Sequence, residues 1–300
     1  MIKKECFTAE WIEQVSSELH YNDKNLIEKV IRALSLLEML VKAGCPLVFK
    51  GGTALMLILG KSAHRLSIDI DLICPPGTNI EDYLKSFADF GFINLELVER
   101  KQRDDADIPK SHSKFFYQIA YRNDTDAQSY ILLDVLYEDI HYFRTQQIAI
   151  NCPFIRLEGK PLMVTVPSAE DILGDKLTAF APNTTGIPYY RNGRSCSMEI
   201  AKQLYDVGRL FENVSDLQIT KEAFRKIAVV ELSYRSFGTD IGQVFNDIRQ
   251  TALCISTRGK AGEGDFDLIQ DGIIRVKSFM YKQRYLIDHA IIDAARACLL

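Results

Sequence analysis

Two carboxylates, Asp69 and Asp71, sit one residue apart in a run that otherwise reads as strand, and a Gly-Gly-Thr turn precedes them. The stretch 49–73 is FKGGTALMLILGKSAHRLSIDIDLI. Its end alternates Ser67, Asp69 and Asp71 with Leu66, Ile68, Ile70 and Leu72. That is the period-2 pattern of a strand with one polar and one apolar face. Upstream, Gly51-Gly52-Thr53 opens an apolar run that predicts a helix to Leu59, and a loop with His64 and Arg65 follows. The short strand 45–49 leads into the turn. Helix, strand, glycine turn, helix and acidic strand in that order require a mixed α and β architecture built on one sheet.

Carboxylates at i and i+2 of a strand lie roughly 6–7 Å apart. Left to themselves in a site they repel, and each disfavours the other's ionised form. A divalent cation resolves the conflict, and Mg²⁺ is commonly held by one or two carboxylates together with substrate phosphates. The glycine turn complements such a site, because glycine lets the backbone approach an anion and a new helix points free N–H groups at phosphate. An Asp-x-Asp alone is more often a solvated sheet face; the turn and helix beside it are what favour a site. Gly60-Lys61-Ser62 imitates the end of a P-loop, but Leu55 stands where that motif needs glycine, and Gly60 follows a helix instead of opening one.

Gly51-Gly52-Thr53 followed by Arg65-x-Ser67-x-Asp69-x-Asp71 resembles the first motif of the nucleotidyltransferase (polymerase β-like) superfamily. KGGTAL with RLSIDIDL is similar to the AbiEii/AbiGii toxin family of bacterial abortive-infection toxin–antitoxin systems. Thr53 stands where many superfamily members carry Ser, which keeps the hydroxyl. The resemblance implies that Asp69 and Asp71 bind Mg²⁺ and that Gly51, Gly52 and Thr53, with Arg65 and Ser67 nearby, hold an NTP. A third carboxylate is expected on a neighbouring strand. The run 130–137, YILLDVLY, carries Asp134 in an apolar setting, where an unpaired charge would cost several kcal/mol. Asp134 matches the third position, ligating metal or deprotonating the attacking hydroxyl; a core Asp paired with an Arg is the other reading.

Further motifs follow. Ser168 and the acids Glu170 and Asp171 start a helix that runs to about residue 181. Lys176 falls inside its apolar stripe, so it must reach solvent or meet an anion. Asp175-Lys176-Leu177 resembles the family's D-K-L segment, whose Lys contacts nucleotide phosphate. The helix 197–212 contains Lys202-Gln203-Leu204-Tyr205-Asp206, similar to the family's K-x-x-Y-D motif, which implies a supporting role for Asp206 and an auxiliary one for Lys202. An ordinary i, i+4 surface pair between Lys202 and Asp206 is the alternative. Arg191 and Arg194, in a loop over 182–193 and just beyond it, are exposed candidates for phosphate contacts.

The remaining chain supplies context. Thr8 starts a first helix, and a stronger one spans 23–43 and stops at Gly44. A helix capped at Thr78 or Asn79 reaches about residue 90, and strands follow at 91–99 and 115–122. Residues 100–114 form a polar loop of both charge signs, with a turn at Asn123-Asp124. Residues 216–300 read as helices over 220–235, 239–256, 265–282 and 285–299. The 300 residues, 47% hydrophobic, suffice for two domains. The fold class is α+β: a nucleotidyltransferase palm over 1–165 and a helical domain over 166–300.

With a net charge of −4, any nucleic acid must meet a local basic patch. Seven cysteines without a C-x-x-C pair read as reduced thiols, neither a disulfide frame nor a zinc site. No signal peptide and no membrane span are expected, which points to the cytoplasm. The expected reaction moves a nucleoside monophosphate from an NTP to an acceptor, RNA and tRNA above all, by a toxin restrained by a cognate antitoxin. A small-molecule or protein (AMPylating) nucleotidyltransferase and a non-catalytic partner-binding module on the same fold are the alternatives.

Overall fold

The computed structural model describes residues 1–98, 109–122, 127–235, 238 and 240–300. Among them, the residues up to Ile140 together with Thr145–Pro167 form one compact unit, and His141–Arg144 with Ser168–Leu300 form the second.

The first unit is a mixed sheet with helices. Helix α1 (Ala9–Glu18) starts at Thr8, whose hydroxyl accepts from Trp11 N–H at 3.3 Å. Helix α2 (Lys24–Lys42) starts at Asp23, whose carboxylate accepts from Leu26 N–H at 3.0 Å. Strand β1 (Val48–Lys50) leads directly into α3 (Gly51–Leu59), and β2 (Ile70–Cys74) returns antiparallel to β1. Strands β3 (Asn94–Val98), β4 (Lys110–Gln118) and β5 (Gln128–Tyr137) complete a five-stranded sheet in the order β1-β2-β5-β4-β3. Only the β2–β5 pairing is parallel. Strands β6 (Thr145–Ala149) and β7 (Met163–Pro167) make a separate antiparallel pair.

Helix α2 supplies much of this core, burying Leu26, Ile27, Val30, Ile31, Leu34, Leu37 and Leu40. It also buries Glu28 and Arg32, which pair at 3.3 Å. Both also bond to backbone: Glu28 accepts from Ala120 N–H, and Arg32 donates to the Gly91 carbonyl. Buried charges persist only when paired and hydrogen-bonded in this way.

Among the described residues, the second unit is helical apart from one small hairpin. Helix α4 (Ala169–Ala179) starts at Ser168, whose hydroxyl accepts from Asp171 N–H at 3.2 Å. Strands β8 (Tyr190–Arg191) and β9 (Arg194–Ser195) pair antiparallel, and α5 (Ser197–Phe211) follows. Helices α6 (Leu217–Tyr234), α7 (Ile241–Ser256), α8 (Phe266–Val276) and α9 (Ile287–Leu299) complete the unit. Helix α4 packs on α5 and α6, α5 on α8 and α9, and α7 on α9. No helix among the described residues is long and apolar enough to cross a membrane.

The α+β class expected from the sequence holds, with local differences. The acidic strand begins at Ile70 and not at Ser67. The Thr53 hydroxyl donates to the Asp69 carbonyl at 2.7 Å, which takes that group out of ladder pairing. The helix expected up to residue 90 is replaced by two 3-10 turns, Ile80–Tyr83 and Phe87–Phe90. Asn79, Asp82, Ser86 and Asp89 are weak helix formers, and a segment this short is marginal as a helix. The polar loop expected over 100–114 gives way to strand β4 from Lys110, where pairing with β5 overrides the charged composition. The rest of that loop up to residue 108 and the Asn123-Asp124 turn lie outside the described residues.

Candidate active site

The glycine turn is built for close approach. Gly51 has φ +78, and a Cβ there would stand 2.0 Å from Asp71 Oδ2. A Cβ on Gly52 would stand 2.6 Å from Ser67 Oγ and 3.0 Å from Arg65 Nη2. The backbone of the turn therefore rests directly against Arg65, Ser67 and Asp71, three of the four side chains of the first motif. Arg65 is buried and donates from Nη1 to the Leu66 carbonyl at 2.9 Å. Thr53 is fully buried, and its hydroxyl donates to the Asp69 carbonyl, which ties the glycine turn to the start of the acidic strand. Gly51→Ala is expected to displace the Asp71 carboxylate and to cost about 1–3 kcal/mol from positive φ and overpacking. Urea denaturation beside a transfer assay checks this, and a variant with unchanged stability would contradict the contact.

Register across the sheet gathers the next group. Lys50 pairs with Asp71, Asp71 with Asp134, and Asp134 with His112. Paired residues on neighbouring strands share a face and lie about 5 Å apart. One row thus runs Lys50, Asp71, Asp134, His112 across β1, β2, β5 and β4. The Asp134 side chain is 38% exposed, and His112 Nδ1 lies in hydrogen-bond contact with its Oδ1. Asp134 therefore faces the open side of the sheet and not the core expected from YILLDVLY. Its neighbour is a histidine instead of an arginine. Asp69 lies two residues before Asp71 and acts on Lys29 of α2: burial lowers the Lys29 pKa, and Asp69 is the largest influence opposing that shift.

The donors Asp69, Asp71 and Asp134 are all carboxylates, the set a hard divalent cation takes. Asp71 and Asp134 side by side carry like charge at strand spacing, which a cation would relieve. Among the described residues, no three His, Cys, Asp or Glu side chains are gathered closely enough to hold a metal ion as they stand. Asp134 is turned to His112.

In the second unit, Lys176 and Asp206 form a buried ion pair at 3.0 Å, with side chains 9% and 2% exposed. Lys176 also donates to Gln203 Oε1 at 2.9 Å. The anion that Lys176 meets in this arrangement is thus Asp206. Asp206 faces α4 from the buried side of α5, so its ion pair with Lys176 joins the two helices. The Lys202 ammonium lies 3.6 Å from the Phe279 ring centre. Asp175 accepts from the Tyr142 hydroxyl at 3.0 Å.

The family model described as "Nucleotidyl transferase AbiEii toxin, Type IV TA system" matches residues 33–279. The chain belongs to the AbiEii family. It is a nucleotidyltransferase toxin of a type IV toxin–antitoxin system. Among solved structures it is similar in fold to JHP933 from Helicobacter pylori, at 17% identity over 91% of each chain with a TM-score of 0.50. MenT4, a nucleotidyltransferase toxin from Mycobacterium tuberculosis H37Rv, matches at 12% identity over 96% of this chain and 90% of that chain, with a TM-score of 0.49. No curated protein matches the chain.

In this AbiEii protein the motif residues fall into two groups. Gly51, Gly52, Thr53, Arg65, Ser67, Asp69, Asp71 and Asp134 belong to the first unit, and Lys176, Lys202 and Asp206 to the second. Sequence reasoning missed Lys50 and His112. Lys50 is the residue just before the glycine turn, so its place in the row follows once β1 is paired with β2. His112 lies in a charged run whose composition favours a loop; its spacing from Lys110 and Lys114 is the strand alternation that places it. The hairpin of β8 and β9 was also missed, although Asn192-Gly193 between matched Arg residues is a turn signal.

Proposed function

We propose that this toxin moves a nucleoside monophosphate from an NTP to a hydroxyl of RNA, tRNA above all, in the cytoplasm, with Mg²⁺ held by Asp69, Asp71 and Asp134. The family's use of an NTP and a divalent metal, and the antitoxin partner its description implies, frame this reading. The observation that carries it is the register of Asp71 beside Asp134, with the glycine turn pressed against Asp71.

In the proposed step the acceptor oxygen bonds to the α-phosphorus, the bond from that phosphorus to the bridging oxygen breaks, and pyrophosphate leaves. The cation, when bound, stabilises charge on the phosphate oxygens and the attacking oxygen. The backbone at Gly51 and Gly52 admits the phosphates, with Arg65 and Ser67 beside it. Asp134 takes the proton of the attacking hydroxyl, and His112 fixes the orientation of that carboxylate. For Lys176 we carry over the role that its motif implies, neutralising charge on the nucleotide phosphates. Asp206 and Lys202 support it.

The test is incubation of the protein with each NTP radiolabelled at the α-phosphate, Mg²⁺ and total bacterial RNA, beside Asp71→Ala. Label in RNA with the wild type alone is expected. Label in protein would move the assignment to an AMPylating enzyme, and label nowhere would sink the transferase reading for RNA.

His112→Ala addresses the metal separately. Loss of a residue that orients a ligand typically costs 10–100-fold in metal affinity. Mn²⁺ titration followed by electron paramagnetic resonance should show a fall of about that size. Unchanged affinity would assign His112 to sheet packing alone.

A further inference from the structure

The connection from α4 to α5 ends in a small, firmly rooted hairpin. At its root Asp247 of α7 is buried and accepts from Asn183 N–H, Asn183 Nδ2 and Thr184 Oγ1, each at 2.8 Å. Thr185 Oγ1 donates to the Thr178 carbonyl at 2.9 Å, and Gly186 N–H to the Ala181 carbonyl at 2.7 Å. Cys196 N–H closes the base by donating to the Tyr189 carbonyl at 2.9 Å. Beyond this base, residues 190–194 are all exposed.

The tip is a two-residue turn, with Asn192 at φ +51 and Gly193 at φ +73, the paired positive values of a type I′ hairpin. Its register sets Arg191 directly opposite Arg194. Like charges in directly opposed strand positions destabilise a hairpin. Neither guanidinium has an ion pair or side-chain hydrogen bond among the described residues. The surrounding chain is net acidic, at −4, so the pair is a local feature and not part of a general basic surface. A fixed turn that presents two apposed guanidinium groups suits an anion with several acceptor oxygens. Arginine's fork matches phosphate in this geometry.

We propose that the hairpin of β8 and β9 is an RNA-docking arm, in which Arg191 and Arg194 grip backbone phosphates of the acceptor. This rests on the proposed RNA acceptor and adds the surface that holds it. Tyr190, 57% exposed, is on the opposite face of the strand from Arg191 and serves as an internal control.

The experiment is fluorescence anisotropy of a labelled single-stranded RNA with the full chain across a series of salt concentrations. The variants are Arg191→Glu with Arg194→Glu, Arg191→Lys with Arg194→Lys, and Tyr190→Ala. Each phosphate contact on a single strand contributes about 0.7 to the slope of log affinity against log salt. The Glu pair should lose about 1.4 of slope and at least about tenfold in affinity, while the Lys pair and Tyr190→Ala keep the slope. Equal affinity and slope in the Glu pair would overturn the arm as an RNA site. The radiolabel assay separates the two claims. No transfer to RNA by the wild type fails the acceptor reading, whereas equal transfer by wild type and Glu pair fails the arm alone.

Discussion

Lys176→Ala is expected to lower the unfolding free energy by about 3–5 kcal/mol, because it leaves the Asp206 carboxylate buried without its cation. Both side chains are nearly enclosed, so water cannot take the place of the lost ammonium. Against a total stability of about 5–15 kcal/mol for a typical protein, this is enough to deplete the folded state. Loss of activity in Lys176→Ala would therefore say little about phosphate. The informative variant joins Lys176→Met with Asp206→Leu. Replacing both members of a buried pair by apolar groups is often neutral or stabilising, so the melting temperature should recover most of the loss. Activity should not recover if Lys176 meets nucleotide. A double variant that is both stable and active would assign the pair to packing of α4 on α5, with no part in the reaction.

Asp71→Asn is expected to separate stability from activity in the opposite sense. The amide keeps the shape of the side chain and removes one of two like charges set side by side in the sheet, so unfolding should change by no more than about 1 kcal/mol. The charge removed is the one a divalent cation needs. Metal stabilisation of transferring phosphate is worth several kcal/mol, and each 1.4 kcal/mol is tenfold in rate, so kcat/KM should fall about 10³-fold or more. Pyrophosphate release beside a thermal melt reads both quantities. A well-folded Asp71→Asn that retained wild-type turnover would remove Asp71 from the metal site and the proposed mechanism with it.

What could be read before the fold was known was local. Thr8, Asp23 and Ser168 cap their helices as their side chains dictate, and Gly44 ends α2 with φ +74. The Gly-Gly-Thr turn lies where the motif requires it, and its contact with Asp71 is a short-range consequence of β1 pairing with β2. What could not be read depended on partners distant in the chain. YILLDVLY reads as a uniformly buried strand because Tyr130 and Leu132 are apolar too, yet they share the less buried face with Asp134. Nothing in that run reveals that β5 lies between β2 and β4, which is what puts His112 beside Asp134. Lys176 looked like a cation waiting for a ligand, because its stripe says it points inward and does not say what it meets. The answer lies on α5, in a residue whose own helix offered it a nearer lysine.

The strand order has a consequence for how the toxin is made. Of the five strands in the first unit's sheet, β5 is the last to be synthesised and occupies the centre. Until it inserts, β2 and β4 have no common neighbour, and Asp71 and His112 belong to unconnected pieces of chain. Parallel pairing of β2 with β5 requires closing the whole intervening segment, the slow kind of step in assembling a sheet. A nascent or stalled chain that ends before β5 would carry the glycine turn and two of the three carboxylates without the third. The centre strand thus acts as a completion check, tying the full carboxylate set to an intact sheet.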